Sequence, residues 1–66
     1  MSLYDYERSI SISAKDEPFY ALIMAAFRQA DTGNLERLKN AFPAIWREFY
    51  ARYHAPGGML PEDVTQ

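Results

Sequence analysis

The most distinctive run of apolar positions covers residues 19–30, where only Arg28 and Gln29 are plainly polar. A helix that is apolar on nearly every side must be covered by other parts of the chain. The run is also shorter than the ~20 apolar residues that cross a bilayer. We therefore expect a buried central helix around which a small domain is built, and no membrane span.

Apolar residues return at helical spacing after this run. Leu35, Leu38 and Ala41 or Phe42 predict a short amphipathic helix of about two turns. Pro43 ends that helix and suits the first position of a third one. The third helix carries an apolar stripe, which consists of Ile45, Trp46, Phe49, Tyr50 and Tyr53.

Turn and cap residues separate the predicted helices. Gly33 supplies a left-handed residue that closes the central helix, and Asn34 caps the next one. Ser13 or Asp16 can cap the central helix, and Pro18 is tolerated in its first turn. We therefore expect a turn between the first two helices.

The amino-terminal residues 1–15 have a different pattern. Residues 9–13 alternate serine and isoleucine strictly, which is typical of a half-buried strand. No second strand is visible, and a single strand cannot satisfy its own backbone. Three conformations stay open: a flexible arm, an extended segment lying across the helices, or a strand paired with a partner or with its twin.

These patterns together predict an all-α fold. The domain has two longer helices, one short connecting helix and an extended amino-terminal arm. We expect residues 1–15 to form the extended or flexible arm, residues 16–56 the helical domain and residues 57–66 a flexible tail.

Length and composition restrict how the domain is stabilised. A chain of 66 residues without cysteine lies near the lower limit for folding alone and contains no disulfide. The remaining stabiliser is a partner, either a second copy or another protein. A net charge of −2 and a pI near 5.2 argue against duplex nucleic acid as the main ligand. The amino terminus lacks the features of a signal peptide, so we expect a bacterial-type cytoplasmic protein.

Candidate catalytic residues are few. Asp31, Thr32 and Gly33 spell the tripeptide of aspartic proteases, but they lie between predicted helices, where they are ordinary turn residues. His54 has no nucleophile or carboxylate placed by spacing to act with it. We expect no enzyme, no metal or cofactor site and no small-molecule substrate.

The aromatic side chains carry the functional prediction. They make up 15% of the chain, which is more than one small core of three short helices can hold. Exposed tyrosine and tryptophan residues typically anchor protein interfaces. We therefore predict a protein–protein interaction module that self-associates or binds another protein, with contacts from Tyr20, Phe27, Trp46, Phe49, Tyr50 and Tyr53. The alternative is a nucleic-acid-associated accessory protein that uses Arg28, Arg37, Lys39, Arg47 and Arg52.

One run of sequence also resembles a known group of proteins. Residues 29–43, followed by Trp46, Tyr53 and residues 55–58, are similar to small uncharacterised bacterial proteins, often of phage or mobile-element origin. The resemblance covers about half of the chain. It implies no activity, because the shared motif consists of turn and core residues.

Overall fold

Four α-helices of nearly equal length make up most of the described part of the chain. The computed structural model describes residues 1–64, and its helices have 10 or 11 residues each. They are α1 (Leu3–Ser13), α2 (Phe19–Gln29), α3 (Thr32–Ala41) and α4 (Pro43–Tyr53). No strand occurs among residues 1–64, which confirms the all-α class. The predicted contrast between two longer helices and one short helix is not observed.

α1 occupies the segment that the alternating pattern predicts to be extended. Ser2 caps this helix, since its Oγ accepts a hydrogen bond from the Asp5 N–H at 3.3 Å. The hydroxyls of Ser9 and Ser13 donate to carbonyl oxygens three residues earlier. A lone strand leaves its backbone groups unpaired, whereas a helix pairs them within one segment. The prediction of an extended arm is wrong for this reason.

α3 begins earlier than the sequence pattern predicts. The Asp31 carboxylate caps it, because Oδ1 accepts a hydrogen bond from the Asn34 N–H at 2.8 Å. Gly33 therefore lies in the first turn of α3 and is not among the residues with positive φ. α2 ends at Gln29, and the extended residue Ala30 makes the connection. The prediction that Gly33 closes the central helix is wrong, because Asp31 satisfies the helix start one turn sooner.

α4 is the helix against which α2 and α3 pack. Its first residue is Pro43, as predicted, and it contacts α2, α3 and the 3₁₀ segment Pro56–Gly58. Phe27 of α2 is 4% exposed and Phe49 of α4 is 8% exposed, and these two are the buried residues of the described chain. The central position therefore belongs to α4, although α2 is the more apolar helix.

α1 lies outside this packing. Every residue of α1 is exposed, and α1 takes part in none of the pairings made by α4. The molecule is accordingly elongated, with principal extents of 44 × 27 × 18 Å. Within residues 1–64, no helix has both the length and the apolar character that crossing a membrane requires.

Arg52 of α4 holds the segment that follows the helix. Its guanidinium donates to the Gly58 carbonyl at 2.9 Å and to both carboxylate oxygens of Asp63 at 2.6 and 3.1 Å. The Leu60 N–H donates to the same carboxylate at 2.9 Å. These bonds lower the pKa of Asp63 from 3.8 to about 2 and raise the pKa of Arg52. Residues 65 and 66 of the predicted tail lie outside the described residues.

Candidate interaction site

An open groove of about 400 Å³ runs beside α4 where it meets the carboxyl-terminal half of α2. We call it the aromatic groove. Its walls and floor are formed by Phe27, Leu35, Trp46, Phe49, Tyr50 and Tyr53, and Arg28 and His54 complete its lining.

Three rings from two helices form the floor of the aromatic groove. The centroids of Phe27 and Trp46 are 5.3 Å apart in a T-shaped arrangement. Phe49 lies 5.3 Å from Phe27 and 5.7 Å from Trp46. Edge-to-face and tilted contacts at these distances are favourable for aromatic rings. Phe27 and Phe49 are therefore core residues that present only a small surface to the groove.

Tyrosine and histidine form the exposed side of the groove. Tyr50 is 53% exposed and Tyr53 is 62% exposed. The His54 ring lies 4.4 Å from Tyr50 and 5.4 Å from Tyr53, measured between centroids. All three lie in the last turns of α4 and its cap, so the same helix supports them. This end of the groove combines a large apolar area with polar atoms, as interface anchors do.

Two cations lie over the aromatic rings. The Arg28 guanidinium is 5.2 Å from the Phe49 centroid and 5.6 Å from that of Tyr53. The Lys39 ammonium is 5.0 Å from the Trp46 centroid. Cations at such distances are attracted to the ring faces. Arg28 therefore gives the aromatic groove a positive charge at its margin, whereas Lys39 also pairs with Glu36 at 3.4 Å.

Tyr20 is separated from the other predicted contact residues. It lines a second, smaller groove of about 250 Å³ with Met24, Ala44, Ile45 and Glu48. Tyr20 lies two helical turns before Phe27 on α2, a rise of ~10 Å. The structure thus brings together five of the six predicted residues, Phe27, Trp46, Phe49, Tyr50 and Tyr53.

Leu35, Arg28 and His54 line the groove although the sequence does not predict them as contact residues. The sequence suggests Arg28 as a cation for nucleic acid and places no partner group by spacing for His54 to act as a base. Arg28 follows Phe27 directly and lies in the last turn of α2. Its position next to a predicted contact residue could therefore have indicated that it belongs to the groove. The contact of Arg28 with Tyr53 depends on how two helices pack, which no local pattern indicates.

The residues considered for catalysis have structural roles in the fold. Asp31 caps α3 through the bond to Asn34, and His54 follows the last turn of α4. Among the described residues, no group of three or more histidine, cysteine, aspartate or glutamate side chains is placed to hold a metal ion.

Several of the cations considered for nucleic acid are engaged within the chain. Arg28 and Lys39 lie over aromatic rings. Arg52 bonds Glu48 and Asp63. Arg37 donates to Asn34 Oδ1 at 3.2 Å. Four of the five cations that the sequence suggested for nucleic acid therefore already have partners within the chain.

Comparison with protein-family models, with curated proteins and with solved structures finds no match for this chain. The aromatic groove is therefore interpreted from its own residues and their geometry.

Proposed function

We propose that this chain is a small non-enzymatic protein–protein interaction module that self-associates through the aromatic groove. One observation carries the proposal: Tyr50 and Tyr53 are more than half exposed beside an aromatic floor that the fold holds in place. Large amphipathic rings supported by buried neighbours are the residues that contribute most to protein interfaces. The predicted bacterial, cytoplasmic and phage or mobile-element setting is part of this proposal.

The size of the core supports the need for a partner. Only Phe27 and Phe49 are buried within residues 1–64, and a domain this small buries a modest fraction of its surface. The stability that a partner adds through mass action compensates for such a core. A second copy is available wherever the chain is made, and most soluble oligomers are symmetric assemblies of one chain.

Light scattering on a sizing column, over a hundredfold range of concentration, tests the proposal. We expect the mass to rise from the 7.6 kDa of the monomer toward twice that value. Replacing Tyr50 and Tyr53 together by alanine should raise the Kd at least ~tenfold, because aromatic anchors typically contribute more than ~1 kcal/mol each. Circular dichroism should show unchanged helicity in this variant.

Tyr4→Ala is the matched control. Tyr4 is exposed to a similar degree but belongs to α1 and not to the groove, so its replacement should leave the mass unchanged. A monomeric parent chain at every concentration would contradict self-association. Equal weakening by Tyr4→Ala would show that the loss is not specific to the groove.

A further inference from the structure

α1 carries an apolar stripe that nothing in the described chain covers. Leu3, Tyr6 and Ile10 are spaced i, i+3 and i+7, so they lie on one face of the helix. Each of the three is more than half exposed. The stripe is built on a regular helix capped at its start by Ser2. We call these three residues the α1 stripe.

We propose that the α1 stripe of one copy lies in the aromatic groove of a second copy, and that the exchange is reciprocal. This inference rests on the proposed self-association and names the element that fills the groove. The occupant is a second copy because the structure leaves both surfaces open in the same chain, the stripe on α1 and the groove on α2 and α4.

The two surfaces have the same length. From Leu3 to Ile10 the helix rises by ~10 Å, and the run from Trp46 to Tyr53 on α4 covers the same seven-residue interval and the same rise. Both surfaces repeat large side chains at helical spacing. An amphipathic helix lying in an apolar groove through such anchors is a common mode of recognition.

Charge complements this fit. Glu7 borders the α1 stripe, because it lies four residues after Leu3 and three before Ile10. Arg8 lies on the opposite side of the helix. The groove carries the Arg28 guanidinium in its lining, and the charge of Arg28 is opposite to that of Glu7. Of the two acidic residues of α1, Asp5 and Glu7, Glu7 is therefore the one that borders the stripe.

A reciprocal exchange gives two stripe–groove contacts in each dimer, and their combined buried area approaches that of a stable interface. Each contact covers Tyr6 from one copy and Tyr50 and Tyr53 from the other, all more than half exposed in the single chain. With ~150–250 Å² for a buried aromatic side chain, of which about 60% is still exposed in the single chain, the six tyrosines of two such contacts supply roughly 540–900 Å². Leu3, Ile10 and the surfaces they cover bring the total toward the ~1,200 Å² at which stable interfaces begin.

The absence of cysteine from all 66 residues makes disulfide trapping a direct test. Two full-length variants, Glu7→Cys and His54→Cys, are prepared separately, one with ¹⁵N label, and mixed under a glutathione redox buffer. Intact mass spectrometry then measures the mixed disulfide. We expect several-fold more of it than in the control mixture of Arg8→Cys with His54→Cys, since Arg8 is adjacent in sequence but faces away from the stripe.

Two outcomes of the trapping experiment would overturn the inference. The first is equal yield from the Glu7→Cys and Arg8→Cys mixtures. The second is a doubly substituted chain, Glu7→Cys with His54→Cys, that closes on itself as a monomer in preference to joining two copies. In that case α1 covers the groove of its own chain.

Light scattering separates failure of this inference from failure of the proposed function. Replacing Leu3, Tyr6 and Ile10 together by alanine should raise the Kd of the dimer at least ~tenfold. The control, Tyr4→Ala with Ile12→Ala, changes other faces of α1 and should leave it unchanged. A stripe variant that dimerises normally, while the Tyr50 and Tyr53 variant does not, would overturn the role of α1 and leave self-association through the groove standing.

Discussion

α1 and α4 are helices of equal length, yet they contribute to the fold in opposite ways. Each has 11 residues, and each carries apolar side chains at helical spacing. α4 is packed by α2, α3 and the segment Pro56–Gly58, whereas every residue of α1 is exposed. Amphipathic spacing alone therefore does not determine burial. A helix is buried when neighbouring segments bring complementary surfaces to it.

The aromatic contacts of α4 and α1 show the same difference between the two helices. Phe49 of α4 lies within 5.3 Å of Phe27 from α2, measured between centroids, and the Arg28 guanidinium lies over its ring. Tyr6 of α1 has no ring partner among the aromatic pairs of the described chain. α4 thus stabilises the monomer, and α1 keeps its apolar side chains available.

Phe49→Ala should have the largest effect on this comparison. Removing a buried phenylalanine costs ~3–5 kcal/mol, and a chain of this length has a total stability of only about 3–10 kcal/mol. We expect urea denaturation, followed by circular dichroism at monomeric concentration, to show loss of most or all of the folded baseline. Tyr4→Ala in α1 should change the free energy of unfolding by less than ~0.5 kcal/mol. Similar losses from both variants would contradict the different roles of the two helices.

Proline substitution at matched positions sharpens the comparison. Glu7 is the fifth residue of α1 and Arg47 is the fifth residue of α4, and both are exposed. Proline inside a helix costs ~3 kcal/mol. Arg47→Pro should unfold the bundle, whereas Glu7→Pro should remove the helical signal of α1 alone and leave the cooperative transition in place. NMR chemical shifts residue by residue measure both effects. Global unfolding by Glu7→Pro would show that the bundle depends on α1.

Two glycines extend the contrast to the ends of α3 and α4. Gly33 is inside α3, where an added Cβ meets only Asp31 Oδ1 at 3.8 Å, so Gly33→Ala should stabilise the chain by about 0.5–1 kcal/mol. Gly57 has a φ of 63°, so Gly57→Ala should strain the segment after α4 by ~1–2 kcal/mol. Thermal unfolding measures the first change. Faster amide exchange at Met59, about tenfold, measures the second. Destabilisation by Gly33→Ala would instead indicate that residue 33 adopts the left-handed conformation that the sequence predicted.

The smallest expected effect on stability comes from the ion pair between Arg52 of α4 and Asp63 in the segment after it. Asp63 has its pKa lowered to about 2 by the Arg52 guanidinium, so its contribution to stability is complete above the ordinary value of 3.8. That contribution is lost as the pH falls through about 2. NMR titration of the Asp63 carboxyl should give this low midpoint, and Arg52→Ala should return it toward 3.8. An unchanged midpoint in Arg52→Ala would contradict the assignment.

The helical class and the start of α4 were predictable from the sequence, because Pro43 and the spacing from Ile45 to Tyr53 are local signals. α1 was misread because alternating Ser9–Ser13 residues fit a strand as well as a helix. Two signals did favour a helix: Ser2 with Asp5 three residues later, which forms a cap, and the spacing of Leu3, Tyr6 and Ile10. The segment is helical because a helix pairs its own backbone N–H and C=O groups, whereas a strand here would have no neighbouring strand to pair with.

The aromatic groove was predictable only in part. Trp46, Phe49, Tyr50 and Tyr53 recur at helical spacing and so had to share one face of α4. Which of them is covered depends on where Phe27 meets α4, and this is set by packing between helices. The position of Tyr20 away from the groove follows from the same packing and has no local signal.

The position of α4 at the centre of the packing also has a consequence for the order in which the chain folds during synthesis. When the ribosome has made residues 1–42, Phe27 still lacks Trp46 and Phe49, the two rings nearest to it in the finished bundle. α2 and α3 therefore lack the helix against which both of them pack until α4 has left the exit tunnel. We therefore expect this bundle to fold only after α4 has been made.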